Sequence, residues 1–320
     1  MPSVFLNGSF LDRDDARISA FDAGVQHGVG LFETMLAVER EDGWEVIDLD
    51  AHLDRLANSA RELRLTERLR VDALRDAVLH TVRRAGEEEA QERLRVRLTI
   101  TGGDLNLLER ARGQQGGQQG DQQPTLLIAA TRATAYPREM FERGVLATIA
   151  DWKANPLDAL QGHKTVNYWA RLRELQSAAA KNAAEALVFQ VSNHLCGGCV
   201  SNALVVKSGR LITPIARGEE IENAEGAESE GGKGRAIMPS PVLPGVVRRW
   251  ALEWAEDRGL EIERRMVAIG DVLGADEFLL TNSSWGVLPV VAVESHVLGA
   301  GKPGEIGLAL TDAWRERLGA

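Results

Sequence analysis

Apolar and polar positions in the first part of the chain alternate in patterns that predict a mixture of strands and helices. The opening residues VFLNGSFL predict two short strands around Asn7-Gly8, a dipeptide typical of tight hairpin turns. From Asp50, apolar residues recur every three or four positions, which predicts a helix, and a second helix is expected over residues 71–85. Residues 94–100 alternate between aliphatic side chains and arginine or threonine, the pattern of a half-buried strand, and residues 125–130 predict a buried one.

Downstream, strand patterns are frequent and two helices stand out. The first is expected from Val166, because five residues would share one face: Tyr168, Trp169, Leu172, Leu175 and Ala179. The second follows Gly245, where Val247, Trp250, Ala251, Trp254 and Ala255 recur at helical spacing. Strands are expected over residues 186–191, 203–207, 210–213, 277–281 and 287–293. Strands are too frequent for a regular strand–helix alternation, which favours the α+β class over a doubly wound sheet.

Two stretches of biased composition predict loops, and a third marks a domain boundary. Residues 112–124 are rich in Gly and Gln, and residues 218–236 contain six glutamates, so neither stretch can bury much apolar surface. Residues 134–137 are interpreted as a linker. The sequence therefore predicts a small N-terminal α/β domain over residues 1–133 and a larger, sheet-rich domain over residues 138–320.

Composition excludes several classes of function. The chain has 320 residues, 44% of them hydrophobic, and a formal net charge of −10, which disfavours a nucleic-acid-binding protein because phosphate contacts need a basic face. No signal peptide and no apolar run long enough to span a bilayer is recognised, so no membrane association is expected. The two cysteines, Cys196 and Cys199, fit a reducing cytoplasm. Their C-x-x-C spacing lacks the second ligand pair of a zinc site, so no metal is expected.

Four segments carry candidate chemistry. Lys164 lies in GHKTVNY, where a lysine shielded from water can become a reactive amine. The Pro244-Gly245 turn precedes a helix whose first N–H groups, those of Val246 and Val247, are suited to bind a phosphate. The cluster TNSS at residues 281–284 and Arg55 in HLDRL supply further hydrogen-bond donors, and arginine is suited to bidentate phosphate binding. Each segment alone has a simpler structural interpretation: a surface lysine or arginine, a helix cap, or a strand-end turn.

Six segments in this order resemble the class IV, or fold type IV, pyridoxal-phosphate enzymes, a family that includes branched-chain and D-amino-acid aminotransferases and aminodeoxychorismate lyase. The segments are FLNGSFLDRDDARISAFDAGVQHGVGLFETM, HLDRL, GHKTVNYW, VSNALVV, PVLPGVVRR and LLTNSSWGVLPV. The resemblance covers nearly the whole chain, and both biased loops fall between matched segments. It implies a two-domain fold with pyridoxal 5'-phosphate held between the domains, and a homodimer.

The resemblance also implies roles for individual residues. Lys164 corresponds to the lysine that forms the internal aldimine and later moves protons at the substrate Cα. Arg55 corresponds to the arginine that binds the cofactor phosphate, and Leu243 to the residue packed against the pyridine ring. Further phosphate contacts correspond to the backbone of Val246 and Val247 and to Asn282 and Ser283. Phe32 and Glu33 lie where the wall of the substrate pocket begins.

The chain departs from the family pattern at two places. Family members usually have a glutamate five residues before the asparagine of the motif that reads Ser201-Asn202 here, and that position is Gly197. Either the pyridine nitrogen stays unprotonated, or another acid, such as Glu33 or Asp22, replaces the glutamate. The carboxylate-binding arginine of D-amino-acid aminotransferases is also unmatched.

Two residues are candidates for the substrate pocket without a clear family counterpart. Arg97 either takes the place of the unmatched arginine or is an exposed structural residue. His27 either lines the pocket entrance or caps a turn.

Three functions follow as alternatives. The first is an aminotransferase acting on small, branched-chain-like amino acids through Lys164. The second is a lyase similar to aminodeoxychorismate lyase, which releases pyruvate. The third is a non-catalytic homologue that keeps the fold, for which the missing acid at position 197 is the main argument.

Overall fold

The computed structural model describes residues 3–66, 69–88, 92–103, 124–220 and 238–319. Contacts divide the chain into two compact units, Met1–Thr134 with Lys164–Asn167, and Ala135–His163 with Tyr168–Ala320. The limits of the two predicted domains and their linker remain a prediction. The segment that contains Lys164 groups with the first unit, whereas the sequence interpretation placed this lysine in the larger domain. Nearly all of the two biased loops lies outside the described residues.

The first unit is an antiparallel sheet with helices. Its strands are Ser3–Leu6 (β1), Ser9–Asp12 (β2), Gly30–Arg40 (β3), Gly43–Val46 (β4), Arg93–Thr101 (β5) and Leu126–Arg132 (β6). Its helices are Ala23–His27 (α1), Leu49–Glu62 (α2) and Val71–Glu88 (α3). Among the described residues the strand order is β2-β1-β6-β5-β3-β4. The predicted hairpin is confirmed: Asn7 and Gly8 have φ angles of 49° and 93°, as a two-residue turn with the twist of the strands requires.

Strand β5 shows how alternation in the sequence gives this sheet two different faces. Leu94, Val96, Leu98 and Ile100 belong to a buried apolar cluster that also contains Leu53 and Leu56 of α2 and Val78 and Val82 of α3. The side chains between them, including Arg95 and Arg97, belong to the opposite face because successive residues of a strand point to opposite sides. The predicted half-buried strand and both predicted helices are confirmed.

The second unit contains a larger, mixed sheet. Its strands are Val145–Ala154 (β7), Glu185–Gln190 (β8), Leu195–Gly198 (β9), Asn202–Lys207 (β10), Arg210–Pro214 (β11), Ile262–Arg265 (β12), Glu277–Asn282 (β13), Gly286–Val293 (β14) and His296–Val297 (β15). Its helices are Arg138–Glu142 (α4), Trp169–Ala180 (α5), Val246–Glu256 (α6), Ile269–Leu273 (α7) and Glu305–Arg317 (α8). Among the described residues the order is β12-β11-β10-β13-β14-β7-β8-β9, with β15 paired to β14. The predicted α+β class is confirmed.

Both faces of this sheet are covered, which explains its long apolar strands. In β13, Phe278 and Leu280 belong to one buried cluster, whereas Leu279 between them belongs to another that includes Ala251 and Leu252 of α6. Strands that are buried on both faces lose the alternation of polar and apolar residues. The strands predicted in this region are confirmed with end shifts of a few residues.

The predicted helix α5 is present, but part of its predicted apolar face is exposed. The helix begins at Trp169 instead of Val166, and Trp169 and Leu172 are 78% and 47% exposed. The buried residues of α5 are Glu174 and Ala178. Glu174 accepts a hydrogen bond of 3.0 Å from the backbone N–H of Asp151 in β7, and Ala178 and Leu175 pack in the apolar cluster that contains Ala150 and Ala154 of β7.

Candidate active site

The segment around Lys164 is hydrogen-bonded to the start of β3, the strand that contains the predicted pocket residue Phe32. The N–H of Phe32 donates to the carbonyl of Lys164 at 2.9 Å, and the N–H of Val166 donates to the carbonyl of Gly30 at 3.0 Å. Leu31 and Thr165 form the bridge between the two segments. Because these bonds are made by the backbone, the lysine is held on a rigid element while its side chain stays half-buried.

One aromatic ring contacts two of the predicted site residues. The Nζ of Lys164 lies 4.4 Å from the centroid of the Phe32 ring, and the Cζ of Arg97 lies 3.3 Å from the same centroid. Phe32 is itself 3% exposed. The first unit therefore brings Lys164, Phe32 and Arg97 together on the face of the sheet opposite α2 and α3, where an amine and a guanidinium flank an apolar ring.

Glu33 lies on the other face of β3, buried against α2. Its carboxylate accepts hydrogen bonds from Nε of Arg55 at 2.8 Å, from Nη2 of Arg55 at 2.5 Å and from Nδ1 of His52 at 2.7 Å. The sequence interpretation placed Glu33 in the pocket wall beside Phe32. Consecutive strand residues point to opposite sides, so the structure places Glu33 in contact with the arginine predicted to bind phosphate.

The charges of this cluster are fixed by its surroundings. Burial opposes ionisation of Glu33, but the charge of Arg55 and the hydrogen bonds from His52 and Arg55 outweigh it and lower the pKa of Glu33 to about 2. Burial lowers the pKa of His52, against the opposing effect of Glu33. An ionised carboxylate can only accept hydrogen bonds, so Nδ1 of a neutral His52 carries the proton. The cluster is one carboxylate neutralised by one guanidinium, with His52 as a neutral donor.

The second unit contains a buried carboxylate that the sequence interpretation missed. Glu185 is fully buried and accepts from the N–H groups of Ala186, Cys199 and Val200 and from Oγ of Ser201, at 2.9–3.2 Å. Burial raises the pKa of Glu185 against the effect of these donors. The available signal was a single acid at the start of the strand EALVFQ, directly before four apolar residues.

Gly197 and Gly198 are required by this packing. A Cβ atom on Gly197 would lie 2.6 Å from the carbonyl oxygen of Ser201, and the residue has a φ of +140°. A Cβ on Gly198 would lie 2.3 Å from Oγ of Ser201 and 2.6 Å from Cδ of Glu185. The structure shows a close approach of the loop to itself and to Glu185, with no room for a glutamate side chain at position 197.

The predicted phosphate-binding turn is joined to the start of β10. Nδ2 of Asn202 donates to the carbonyl of Leu243 at 2.8 Å. Helix α6 then begins with Val246 and Val247, and Gly245, at its N-cap position, has no side chain to cap their N–H groups. An N-terminus of this kind attracts an anion because its N–H groups and the helix dipole point toward it.

The other predicted phosphate contacts lie in the turn after β13. Oδ1 of Asn282 accepts from the N–H groups of Ser284 and Trp285 at 2.9 and 3.0 Å, and its Nδ2 donates to the carbonyl of Val200 at 3.2 Å. The amide of Asn282 therefore shapes this turn. Ser283 next to it is half-buried.

The remaining candidates are placed as follows. Cys196 and Cys199 are buried free thiols, and burial raises the pKa of each to about 12, as in unreactive structural cysteines. Within the described residues, no group of three or more histidine, cysteine, aspartate or glutamate side chains could hold a metal ion. His27 is exposed in the last turn of α1. Asp22 is buried and accepts from Gly24, Thr101 and Thr125.

Replacing Glu185 by glutamine tests its role in ordering the loop that contains the two glycines. Glutamine has one acceptor oxygen and an NH₂ group that would face backbone N–H groups, so at least one buried donor loses its partner. We expect Glu185→Gln to lower the free energy of unfolding by about 1–3 kcal/mol or more in urea titrations. Glu253→Gln, which alters an exposed carboxylate of α6, is the control and should change it by less than about 0.5 kcal/mol. Equal effects of the two substitutions would contradict this role.

Comparison with known proteins identifies the family and the fold of the chain. The sequence profile of the family described as Amino-transferase class IV matches residues 30–293. The branched-chain-amino-acid aminotransferase of Escherichia coli K12 is 23% identical over 314 residues, covering 97% of this chain and 91% of its own. A crystal structure of the E. coli enzyme superposes with a TM-score of 0.81, at 22% identity, covering 98% of this chain and 93% of the other.

Two further relatives show the range of activities among similar proteins. The D-alanine aminotransferase of Staphylococcus haemolyticus is 24% identical over 321 residues, covering 99% of this chain and 98% of its own. The structure of 4-amino-4-deoxychorismate lyase from Pseudomonas aeruginosa has a TM-score of 0.74 and 26% identity, covering 98% of both chains.

The chain belongs to the class IV aminotransferase family, since the profile matches well over half of its length. Its fold is that of the fold type IV enzymes. Enzymes of this family use pyridoxal 5'-phosphate, and the protein is a pyridoxal-phosphate-dependent aminotransferase by family. None of the helices in the described residues is both long and apolar enough to cross a membrane.

Proposed function

We propose that this enzyme transfers amino groups between small, branched-chain-like amino acids and a 2-oxo acid, and that Lys164 holds the cofactor covalently. The observation that supports this most is the attachment of the Lys164 segment to β3, which places the amine 4.4 Å from the centroid of the buried Phe32 ring. The match to the family over residues 30–293 includes this lysine.

In each unit, the residues present fit part of the cofactor by their chemistry. In the second unit, the uncapped start of α6, with the N–H groups of Val246 and Val247, suits a phosphate. In the first unit, Arg55, which Glu33 holds in place, carries a positive charge suited to the same group. Leu243 has an aliphatic side chain that can pack against the ring. Asn282 and Ser283, in the turn after β13, are the other proposed phosphate contacts. When bound, the cofactor supplies an aldehyde and a ring that withdraws electrons.

The roles of the side chains follow from their chemistry. The amine of Lys164 would hold the cofactor and would also move a proton to and from the substrate Cα. Phe32 keeps water from the amine, and Arg97 binds a substrate carboxylate. His27 is exposed and belongs to the pocket entrance in this proposal.

Arg97→Gln tests the carboxylate-binding role. Losing a charge-assisted hydrogen bond costs about 1.5–3 kcal/mol, so we expect KM for 2-oxoglutarate to rise roughly 10- to 100-fold, with a smaller change in kcat. Arg95→Gln is the matched control, because Arg95 is an exposed arginine two residues earlier on the same face of β5. If both variants show the same KM in steady-state assays, Arg97 has no such role.

A lyase activity is the second candidate, because 4-amino-4-deoxychorismate lyase of P. aeruginosa is similar over nearly the whole chain. Supplying the protein with cofactor, branched-chain amino acids and 2-oxoglutarate, and separately with aminodeoxychorismate, separates the two. Formation of glutamate in the first mixture supports the aminotransferase, and release of pyruvate in the second supports the lyase. A protein that binds the cofactor but does neither would support the third alternative, a non-catalytic homologue.

The environment of the pyridine nitrogen distinguishes this chain from the usual family pattern. Position 197 has no room for a carboxylate side chain, Glu185 accepts from four donors, and Glu33 and Asp22 are held by partners of their own. We therefore propose that none of these residues would donate a proton to the ring nitrogen of a bound cofactor. The cofactor would then supply its electron withdrawal without a positively charged ring.

A homodimer in the cytoplasm completes the proposal. Trp169 and Leu172 expose apolar surface on α5, which is typical of a face that another chain covers, and the unbridged Cys196 and Cys199 fit a reducing compartment. Light scattering is expected to give twice the 34.8 kDa of one chain at micromolar concentration. A mass of one chain under these conditions would contradict the dimer.

A further inference from the structure

The side chain of Asn202 makes a contact that is not part of the β-sheet. Asn202 begins β10, is 6% exposed and pairs with Thr281 of β13 through the backbone. Its side-chain Nδ2 donates to the carbonyl of Leu243 at 2.8 Å, across 41 residues of chain. The side chain thus joins the start of β10 to the turn that starts α6.

The same side chain explains why residue 245 is a glycine. Gly245 has φ −72° and ψ 135°, angles that any residue adopts, so its backbone conformation does not require glycine. A Cβ atom there would lie 1.8 Å from Oδ1 of Asn202, whereas the next nearest heavy atom outside this amide, Cβ of Arg248, would be at 3.3 Å. The amide of Asn202 therefore contacts the turn through both of its polar atoms. Its Nδ2 donates to the carbonyl of Leu243, and its Oδ1 packs against Gly245.

The loop on the other side of Asn202 is firmly held. Ser201 donates to the buried carboxylate of Glu185 at 2.9 Å, and Asn282 donates to the carbonyl of Val200 at 3.2 Å. Because these bonds fix the loop, the amide of Asn202 is held in place, and it can in turn hold the turn at residues 243–245.

We propose that Asn202 is a positioning residue for the cofactor phosphate, which fixes the turn at residues 243–245 and so sets the direction of the first N–H groups of α6. This inference rests on the proposed function, in which those N–H groups bind the phosphate. A neutral amide is suited to this task, because a carboxylate at the same place would repel both the carbonyl of Leu243 and the anion.

The test compares two aldehydes that differ only in the phosphate group. Pyridoxal 5'-phosphate and pyridoxal are titrated against the apo form of each full-length variant, and the ratio of the two dissociation constants isolates the contribution of the phosphate. In Asn202→Ala the preference for the phosphorylated compound is expected to fall about tenfold, the effect of losing one well-placed hydrogen bond. In the control Ser177→Ala, which removes an exposed side-chain hydrogen bond within α5 and leaves Asn202 and Leu243 unchanged, the ratio should remain within about twofold of the wild type.

A second pair of variants tests the contact with Gly245. Gly245→Ala is expected to lower the ratio in the wild-type background, but to have little further effect when Asn202→Ala has removed the clash. If Asn202→Ala does not fold, Asn202→Asp, which keeps the shape and replaces the donor, is expected to lower the ratio at least as much.

Each outcome has one interpretation. A wild-type protein that binds both aldehydes equally contradicts the phosphate site of the proposed function. A wild type with a strong preference for the phosphate, together with an unchanged ratio in the Asn202 variants, leaves the proposed function standing and overturns the role of Asn202. Additive effects of Asn202→Ala and Gly245→Ala overturn it as well.

Discussion

Lys164→Ala is expected to remove both the visible absorbance of the protein–cofactor complex and at least about a thousandfold of kcat. The variant loses the amine that holds the cofactor and the base that moves the proton at Cα, and proton transfer by a positioned side chain alone contributes roughly 100- to 10,000-fold. Absorption spectra of the purified variant with added cofactor, and steady-state assays with a branched-chain amino acid and 2-oxoglutarate, measure the two effects.

Lys181→Ala is the matched control for this experiment. Lys181 directly follows α5, and its side chain is 60% exposed. Its Nζ lies 3.8 Å from Oε2 of Glu294. Its loss should leave spectrum and kcat unchanged. A coloured, active Lys164→Ala protein would show that another amine holds the cofactor.

The second large effect is expected at the buried cluster of Glu33, His52 and Arg55. Arg55→Leu leaves the carboxylate of Glu33 buried without its charged partner, so we expect the free energy of unfolding to fall by about 3–5 kcal/mol. Affinity for pyridoxal 5'-phosphate should fall in the same variant, since the phosphate loses a cation. Urea titration of the apo protein and cofactor titration measure the two losses separately.

Adding Glu33→Gln to Arg55→Leu separates stability from cofactor binding. The double variant no longer contains an unpaired buried charge, so most of the stability should return while the affinity for the cofactor stays low. Recovery of both would mean that Arg55 affects the cofactor only through the fold. Recovery of neither would contradict the charge-pairing explanation.

The same cluster gives a pH dependence with a definite sign. The pKa of Glu33 is lowered from 4.5 to about 2, so the folded state favours the ionised form, and the resulting stability is complete above 4.5 and is lost as the pH falls toward 2. Its size is on the order of 3 kcal/mol. Burial lowers the pKa of His52 below 6.5, so acid also destabilises the fold through this residue. Unfolding experiments over this pH range should therefore show a smaller acid-induced loss in Glu33→Gln than in the wild type.

Local patterns in the sequence predicted most elements of the fold, for identifiable reasons. The hairpin at Asn7-Gly8, the helices α2 and α3 and the alternating strand β5 depend on turn chemistry and on periodicity within one element. The family resemblance added the class and the cofactor. These features need no knowledge of which elements pack together.

The contacts that sequence patterns did not predict are made between residues far apart in the chain. Glu174 of α5 contacts a backbone N–H in β7, and Glu33 meets Arg55 because α2 packs on one face of β3. Glu185 and Asn202 contact loops up to 41 residues away. A single buried acid in an apolar strand and an asparagine at a strand start are visible in the sequence, but the groups they bind are known only from the fold.

The most direct test of the central claim is to locate the lysine that carries the cofactor. Pyridoxal 5'-phosphate is added to the purified protein, the carbon–nitrogen double bond is reduced with borohydride, and the digested protein is examined by mass spectrometry. The predicted result is one modified peptide, with the added mass on Lys164. Modification of a different lysine, or a protein that remains unmodified with excess cofactor, would contradict the account.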